Sequence, residues 1–258
     1  MEMLRYKTGM KRPFVICIFA LMTLFVFAQQ ASVKEANVLY AQKNYTAAVQ
    51  QYEMVLQSQG SSAELYYNLG NAYYRSGDIA KAILNYNRAL LLKPNYEDAE
   101  FNLEIAQKKV VDNVDVTSVF FLKQWVNNLG DIMSSNGWAV FSVILFMLAL
   151  TAFLVFIFGR YRSLRKTTFN VAIASFVIAL ISVGYAVKQS NKVVNSTDGI
   201  IMVGSVTAKD SPALNGKDMF VMHAGTKVTI KNSVSGWTEV ELPDGNAGFI
   251  PATSIEKI

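Results

Sequence analysis

The sequence predicts a multidomain membrane protein with an all-α helical-repeat domain, a two-helix transmembrane hairpin and a small all-β barrel. Three observations lead to this fold class. An internal repeat with a period of 34 residues runs through residues 32–111. Two uncharged stretches of membrane-spanning length follow, and the last part of the chain changes to short β-rich runs. The chain is 52% hydrophobic, which is high for a soluble protein.

Residues 1–28 have the features of a secretory signal peptide. A basic stretch precedes the apolar run PFVICIFALMTLFVFA, and Val26 and Ala28 stand at the two positions that a signal peptidase reads. We therefore expect cleavage after Ala28; the alternative is an uncleaved anchor helix. The one cysteine, Cys17, lies in this run and the one histidine is His223, so these counts exclude a Cys/His metal cluster.

Residues 29–112 are predicted to form the helical-repeat domain. At an offset of 34 residues, tyrosines and alanines align in pairs: Tyr40 with Tyr74, Ala48 with Ala82, and Tyr52 with Tyr86. The second copy carries eight pattern residues in register: Tyr66, Leu69, Gly70, Tyr73, Ala82, Tyr86, Ala89 and Pro94. Small residues let two helices approach closely, and the proline ends the second helix. This pattern resembles tetratricopeptide repeats, and residues 97–111 would add one closing helix.

The resemblance implies a concave surface that binds a partner helix or an extended peptide. It places five candidate partner-binding residues on the inner face: Asn37, Tyr67, Asn71, Tyr74 and Arg75. For Tyr67 and Tyr74, core packing is the alternative. One subset of these repeats binds a C-terminal carboxylate, but Val33, Asp98 and Asn102 stand where that subset has basic residues, so we do not expect this mode.

Residues 113–136 form a juxtamembrane amphipathic segment. Trp125, Val126 and Leu129 share one apolar face at helical spacing. Two interpretations remain open: a helix that lies at the membrane interface, or one more helix packed on the repeat.

Two transmembrane helices are predicted at 137–158 and 169–188, because each contains about 20 residues without a charge, enough for a hydrocarbon layer. The connecting loop, 159–168, carries four basic residues: Arg160, Arg162, Arg165 and Lys166. The positive-inside rule makes this loop cytoplasmic, which places both soluble domains in the periplasm of a bacterial inner-membrane protein. The signal peptide leads independently to the same orientation.

Residues 199–258 are predicted to form five short strands in a small barrel. Gly225 and the pair Asp244-Gly245 interrupt the β-rich runs, and the pair predicts a hairpin. The order of motifs resembles the bacterial Src-homology-3-like fold. The matching segments are Ser211-Pro212, Gly225 to Val228, Trp237, Asp244-Gly245 and Gly248-Phe249-Ile250.

The order of domains along the whole chain resembles BatE-type proteins of the Bacteroidetes aerotolerance group. This resemblance implies work beside membrane-anchored von Willebrand-type proteins and a MoxR-type ATPase, with a part in envelope stress or oxygen tolerance.

The sequence favours a non-enzymatic scaffold. It contains no phosphate-binding loop, no zinc-protease motif and no nucleophile elbow, so we assign no catalytic residue, metal or cofactor. The net charge of +5 is concentrated beside the apolar runs, so nucleic acid is not an expected partner. The alternative function is binding of peptidoglycan peptides through the C-terminal domain. A transporter is disfavoured because both spans lack charged residues.

Overall fold

The computed structural model describes residues 33–112 and 121–258 of the chain. The predicted signal peptide at 1–28 lies outside these residues, as does the first part of the juxtamembrane segment.

Residues 33–112 are all-α and form five helices: α1 (33–41), α2 (Tyr45–Gln59), α3 (Ala63–Ser76), α4 (Ile79–Leu92) and α5 (Glu97–Gln107). Short polar residues begin the helices: the side chains of Asn44, Ser62 and Asp78 each accept a hydrogen bond from a backbone N–H in the first turn. Gly77 ends α3 in the left-handed conformation, with φ of 97°, and this glycine makes the tight turn into α4.

The repeat core is built from residues that recur at the 34-residue offset. Tyr52 and Tyr86 are almost fully buried, and so are Ala48 and Ala82. A Cβ atom placed on Gly70 would lie 2.7 Å from two ring carbons of Tyr86, so α3 and α4 cross at a distance that only glycine allows. The prediction that small residues permit close helix contact is confirmed here.

Two long antiparallel helices follow, α7 (Ser135–Phe158) and α8 (Arg162–Val194), and both are long and apolar enough to cross a membrane. They pack along their length through small side chains: Ala149, Ala152, Ala172, Ser175, Ala179 and Ser182. The basic segment is not a ten-residue loop, because α8 already begins at Arg162. Arg and Lys have high helix propensity, which lets the helix extend through this segment.

The C-terminal part is an antiparallel sheet. Within the described residues it has seven strands: β1 (Asp198–Ile201), β2 (Ser205–Lys209), β3 (Asp218–His223), β4 (Lys227–Val234), β5 (Trp237–Glu241), β6 (Ala247–Pro251) and β7 (Ile255–Lys257). Their order is β3-β2-β6-β5-β4-β1-β7, so the hydrogen bonding has two ends and does not close a barrel. The buried core side chains include Ile201, Met222, Val228, Val240 and Ile250.

The sheet differs from the predicted five strands at two places. The first β-rich run divides near Gly204 into β1 and β2, and the C-terminal residues pair with β1 as β7. The second run divides at Gly225, as expected. The predicted hairpin at Asp244-Gly245 is confirmed: the N–H of Gly245 donates to the carbonyl oxygen of Leu242 at 2.9 Å between β5 and β6.

A short helix, α6 (Phe121–Asp131), precedes α7. Its main neighbour is α8, not a helix of the repeat. The side-chain amide of Gln189 donates to the carbonyl oxygen of Gly130 at 2.9 Å. The interpretation of this segment as one more helix on the repeat therefore differs from the observed arrangement.

Candidate partner-binding groove

The candidate site is the face of α1, α3 and α5 that carries the predicted inner residues, which we call the groove face. Tyr67, Asn71 and Tyr74 recur every three or four residues along α3, so they share one side of this helix. All three are half-buried, whereas Asn37 on α1 and Arg75 at the end of α3 are exposed.

Asn71 is the centre of a hydrogen-bond network on the groove face. Its Oδ1 accepts one bond from the Tyr86 hydroxyl at 2.8 Å and another from the Asn102 amide at 2.8 Å. The same Asn102 amide lies 3.3 Å from the hydroxyl of Tyr67. Burial raises the pKa of Tyr86, so its hydroxyl stays protonated and remains a donor at every physiological pH. The network joins α3, α4 and α5 through polar side chains.

A similar pair lies 34 residues earlier. The hydroxyl of Tyr52 donates to Oδ1 of Asn37 at 2.6 Å, and burial raises the pKa of Tyr52 to about 12. Each repeat therefore fixes an asparagine of the inner helix with a tyrosine of the outer helix. Asn37 and Asn71, like Tyr52 and Tyr86, are separated by the period of the repeat. The recurrence of the Asn–Tyr pair at the 34-residue period could have predicted both hydrogen bonds, but our sequence analysis missed them.

Tyr67 and Tyr74 combine packing with exposure. The ring of Tyr67 lies 5.0 Å from that of Tyr96 and 6.2 Å from that of Tyr86, between centroids. The ammonium group of Lys109 lies 4.5 Å from the ring centre of Tyr74. Both tyrosines therefore contribute to the core and present an edge on the groove face, so the two alternatives for these residues are not exclusive.

Arg75 is directed toward the first repeat. Its Nη2 donates to the hydroxyl of Tyr45 at 3.1 Å, and its guanidinium lies 5.3 Å from the centre of the Tyr45 ring. Of the five predicted residues, Tyr67 and Asn71 are linked to each other through the side-chain amide of Asn102. It places Asn37 on the neighbouring helix and Arg75 at the end of the face.

The closing helix α5 and the residues just after it contribute side chains that the sequence analysis did not assign to the site. Asn102 and Lys109 contact the inner tyrosines and Asn71, and Phe101 leaves 63% of its surface exposed beside Asn102. By the 34-residue offset Phe101 takes the place of Tyr67, which makes this exposed ring a candidate for contact with a partner. The signal in the sequence was Phe101-Asn102-Leu103, which repeats Tyr67-Asn68-Leu69 at the 34-residue offset.

The repeat is packed against the sheet at its other side. The Asp112 carboxylate accepts hydrogen bonds from the backbone N–H of His223 at 2.7 Å and from the Thr226 hydroxyl at 2.6 Å, and it lies 2.7 Å from Nδ1 of His223. Burial alone raises the pKa of Asp112, but the hydrogen bonds from Thr226 and His223 outweigh it and hold the pKa below its ordinary value. We call these residues the junction.

Further contacts extend the junction. Nη2 of Arg88 binds a carboxylate oxygen of Glu256 at 3.0 Å and the carbonyl oxygen of Lys257 at 2.6 Å. Ile200 of β1 is fully buried in the core of the repeat. The helical part and the sheet therefore form one packed unit. It lies at the end of the α7–α8 hairpin where α7 begins and α8 ends.

The described residues contain no group of three or more His, Cys, Asp or Glu side chains that could hold a metal ion. The arrangement of the groove face is suited to binding, because aromatic rings, amides and cations are held in place beside an exposed apolar residue.

Comparison with known families identifies the helical part. A family model described as TPR repeat matches residues 36–77, and one described as Tetratricopeptide repeat matches residues 63–96. Residues 36–96 are thus tetratricopeptide repeats. Such repeats are typically non-catalytic modules that bind other proteins. No curated protein matches the chain.

Proposed function

We propose that this protein is a membrane-anchored, non-enzymatic scaffold that binds a protein partner through the groove face of its tetratricopeptide repeats. The observation that carries the proposal is the exposed Phe101 next to the hydrogen-bond network of Asn71, Asn102 and Tyr86. The repeats that hold these residues match a family that typically binds proteins. Buried hydrogen bonds fix the side chains before a partner arrives, which reduces the entropy that binding must overcome.

The proposed location is a bacterial inner membrane, with transmembrane segments at 137–158 and 169–188 and both soluble domains in the periplasm. Two observations support it. The helices α7 and α8 are long, apolar and mostly exposed along their length. The four basic residues of 159–168 lie at the end of the hairpin opposite the repeat and the sheet, and basic residues favour the cytoplasmic side.

The remaining assignments follow from sequence patterns and from resemblance. We propose residues 1–28 as a signal peptide, 29–112 as the repeat domain, 113–136 as the juxtamembrane segment and 199–258 as a Src-homology-3-like domain. The domain order supports a place among BatE-type proteins, with von Willebrand-type membrane proteins and a MoxR-type ATPase as partners in aerotolerance or envelope stress. The alternative function is binding of peptidoglycan, and the test described next distinguishes it from binding of a protein partner.

The test is recovery of partners from crosslinked membranes with the double variant Tyr74→Ala, Arg75→Ala. We expect this variant to insert into the membrane and keep its helical content, but to lose the partner that the parent recovers. Met54→Ala is the matched control, because Met54 is an exposed apolar residue on the outer helix α2. Full recovery by the double variant would exclude the groove face. Binding of the parent to isolated peptidoglycan, without a protein partner, would favour the alternative function.

A further inference from the structure

The amphipathic helix α6 is attached to α8 by its polar face. The Asn127 side chain accepts a hydrogen bond from the ammonium of Lys188 at 2.8 Å. Asp131 accepts bonds from Gln189 at 2.7 Å and from Lys192 at 3.3 Å. Asn127 and Asp131 are four residues apart and lie on the same side of α6. The polar groups of this side are therefore satisfied within the protein.

The opposite face of α6 is apolar and uncovered. Trp125 and Leu129 are four residues apart on one side of α6, and Ile132 follows directly after the end of the helix at Asp131. Trp125 leaves 63% of its surface exposed and Ile132 leaves 50%. In water such a face would carry a free-energy cost, since burial of apolar surface is the main favourable term in folding and association.

An aromatic pair fixes the position of α6 along the axis of the α7–α8 hairpin. The rings of Trp138 in α7 and Tyr185 in α8 stack with centroids 5.0 Å apart. The indole Nε1 of Trp138 donates to the carbonyl oxygen of Gly130 at 2.8 Å. A Cβ atom on Gly130 would lie 3.0 Å from the Tyr185 ring, so α6 touches this pair directly. Trp and Tyr are enriched where membrane helices enter the headgroup layer.

The surfaces of α7 and α8 on either side of this aromatic pair agree with a position at the headgroup layer. Below Trp138 the side chains of Val140, Val143 and Ile144 are exposed and apolar, as expected for contact with lipid. On α8 the polar residues Lys188 and Lys192, which bind α6, lie past the uncharged stretch. The uncovered face of α6 thus belongs to a helix that contacts the hairpin at the soluble-domain end of its apolar surface.

We propose that α6 lies in the headgroup layer of the bilayer leaflet on the side of the soluble domains, with Trp125, Leu129 and Ile132 inserted into lipid. This proposal rests on the membrane location proposed above. The occupant of the face is the lipid itself, because α6 contacts the end of the apolar hairpin and Trp125 and Leu129 present no charge on this face. The attachment of α6 to α8 then fixes the orientation of the soluble unit above the membrane.

The test places nitroxide labels on the full chain in phosphatidylcholine vesicles. Cys17→Ser removes the native cysteine, and single cysteines are then introduced as Ile132→Cys, Gln124→Cys and Leu150→Cys. Ile132 is exposed directly after the end of α6, Gln124 is exposed on α6 away from Trp125 and Leu129, and Leu150 lies within α7. Power saturation compares the access of oxygen, which concentrates in lipid, with that of a water-soluble nickel chelate.

We expect the label at 132 to be reached by oxygen in preference to the nickel chelate, and the label at 124 to show the reverse. Equal access of the chelate at 132 and 124 would overturn the proposal. So would spin–spin broadening at 132 that disappears on dilution with unlabelled protein, because a second copy would then cover the face. The label at 150 reports separately on the hairpin: access of the chelate there would refute the membrane location itself.

Discussion

Replacement of Gly70 by leucine is the most direct perturbation of the repeat. An added Cβ at this position would lie 2.7 Å from the Cδ1 and Cε1 atoms of Tyr86, much closer than carbon atoms approach in folded proteins. The Tyr86 ring is 1% exposed and its hydroxyl is bound to Asn71, so it cannot move aside without breaking that bond. The two helices α3 and α4 must therefore separate.

Two effects of opposite sign set the magnitude. Removal of a glycine from a helix interior favours folding by about 1 kcal/mol. Overpacking of a tight core costs about 1–3 kcal/mol, and leucine adds three carbons beyond the Cβ that already collides. With an overpacking cost at the upper end of that range, we expect a net loss of about 2 kcal/mol. A loss of 1 kcal/mol lowers the melting temperature of a domain of this size by roughly 4–8 °C.

The assay is amide hydrogen exchange of α3 and α4 in the full chain as the temperature is raised, because the sheet packs on the repeat and a fragment would lack that contact. Gly184→Leu is the control: Gly184 is also a helical glycine, but a Cβ there meets no atom within 4 Å. We expect α3 and α4 to open at lower temperature in Gly70→Leu only. An unchanged opening temperature would refute the helix crossing and the assigned repeat register.

Three further predictions concern other parts of the molecule. Asn71→Leu leaves the buried hydroxyl of Tyr86 without its acceptor, so we expect a loss of ~1–3 kcal/mol in thermal unfolding, whereas the exposed change Met54→Leu should have little effect. Because the pKa of Asp112 is lowered in the folded protein, its ionised form stabilises the junction at pH values above its unfolded pKa of about 4. This stabilisation is lost as the pH falls through the lower pKa of the folded protein. Asp112→Asn should remove this pH dependence, measured as amide exchange at the junction. A reporter fused after residue 258 should be active in the periplasm, and a cytoplasmic signal from this fusion would contradict the topology. Replacement of the four basic residues of 159–168 by neutral ones should give a mixture of periplasmic and cytoplasmic reporter.

The helical repeat and the membrane helices could be predicted because their signals are periodic or continuous. Tyr52 and Tyr86 are buried at equivalent places, as the 34-residue offset predicts, and the uncharged stretches lie in helices that are long and apolar enough to cross a membrane. Helix ends were less accurate: α8 continues past both expected boundaries, because helical backbone does not stop where the hydrophobic stretch stops.

The contact between the repeat and the sheet could not be predicted. Asp112 and His223 are separated by 111 residues, and Arg88 and Glu256 by 168, so no local pattern relates the partners. The division of the first β-rich run was missed because Gly204 was not recognised as a break. For Arg75, the repeat register gave the position on α3, but not the hydrogen bond with Tyr45 that directs its side chain.

The proposal that a partner binds the groove face is tested most directly by photo-crosslinking in native membranes. A benzophenone amino acid replaces Phe101, which is exposed beside the network of Asn71 and Asn102, and in a matched protein it replaces Met54 on the outer helix. We expect a discrete protein adduct from position 101, absent from position 54 and lost when Tyr74 and Arg75 are both changed to alanine. Adducts of equal yield from both positions, or none from position 101, would contradict the proposal.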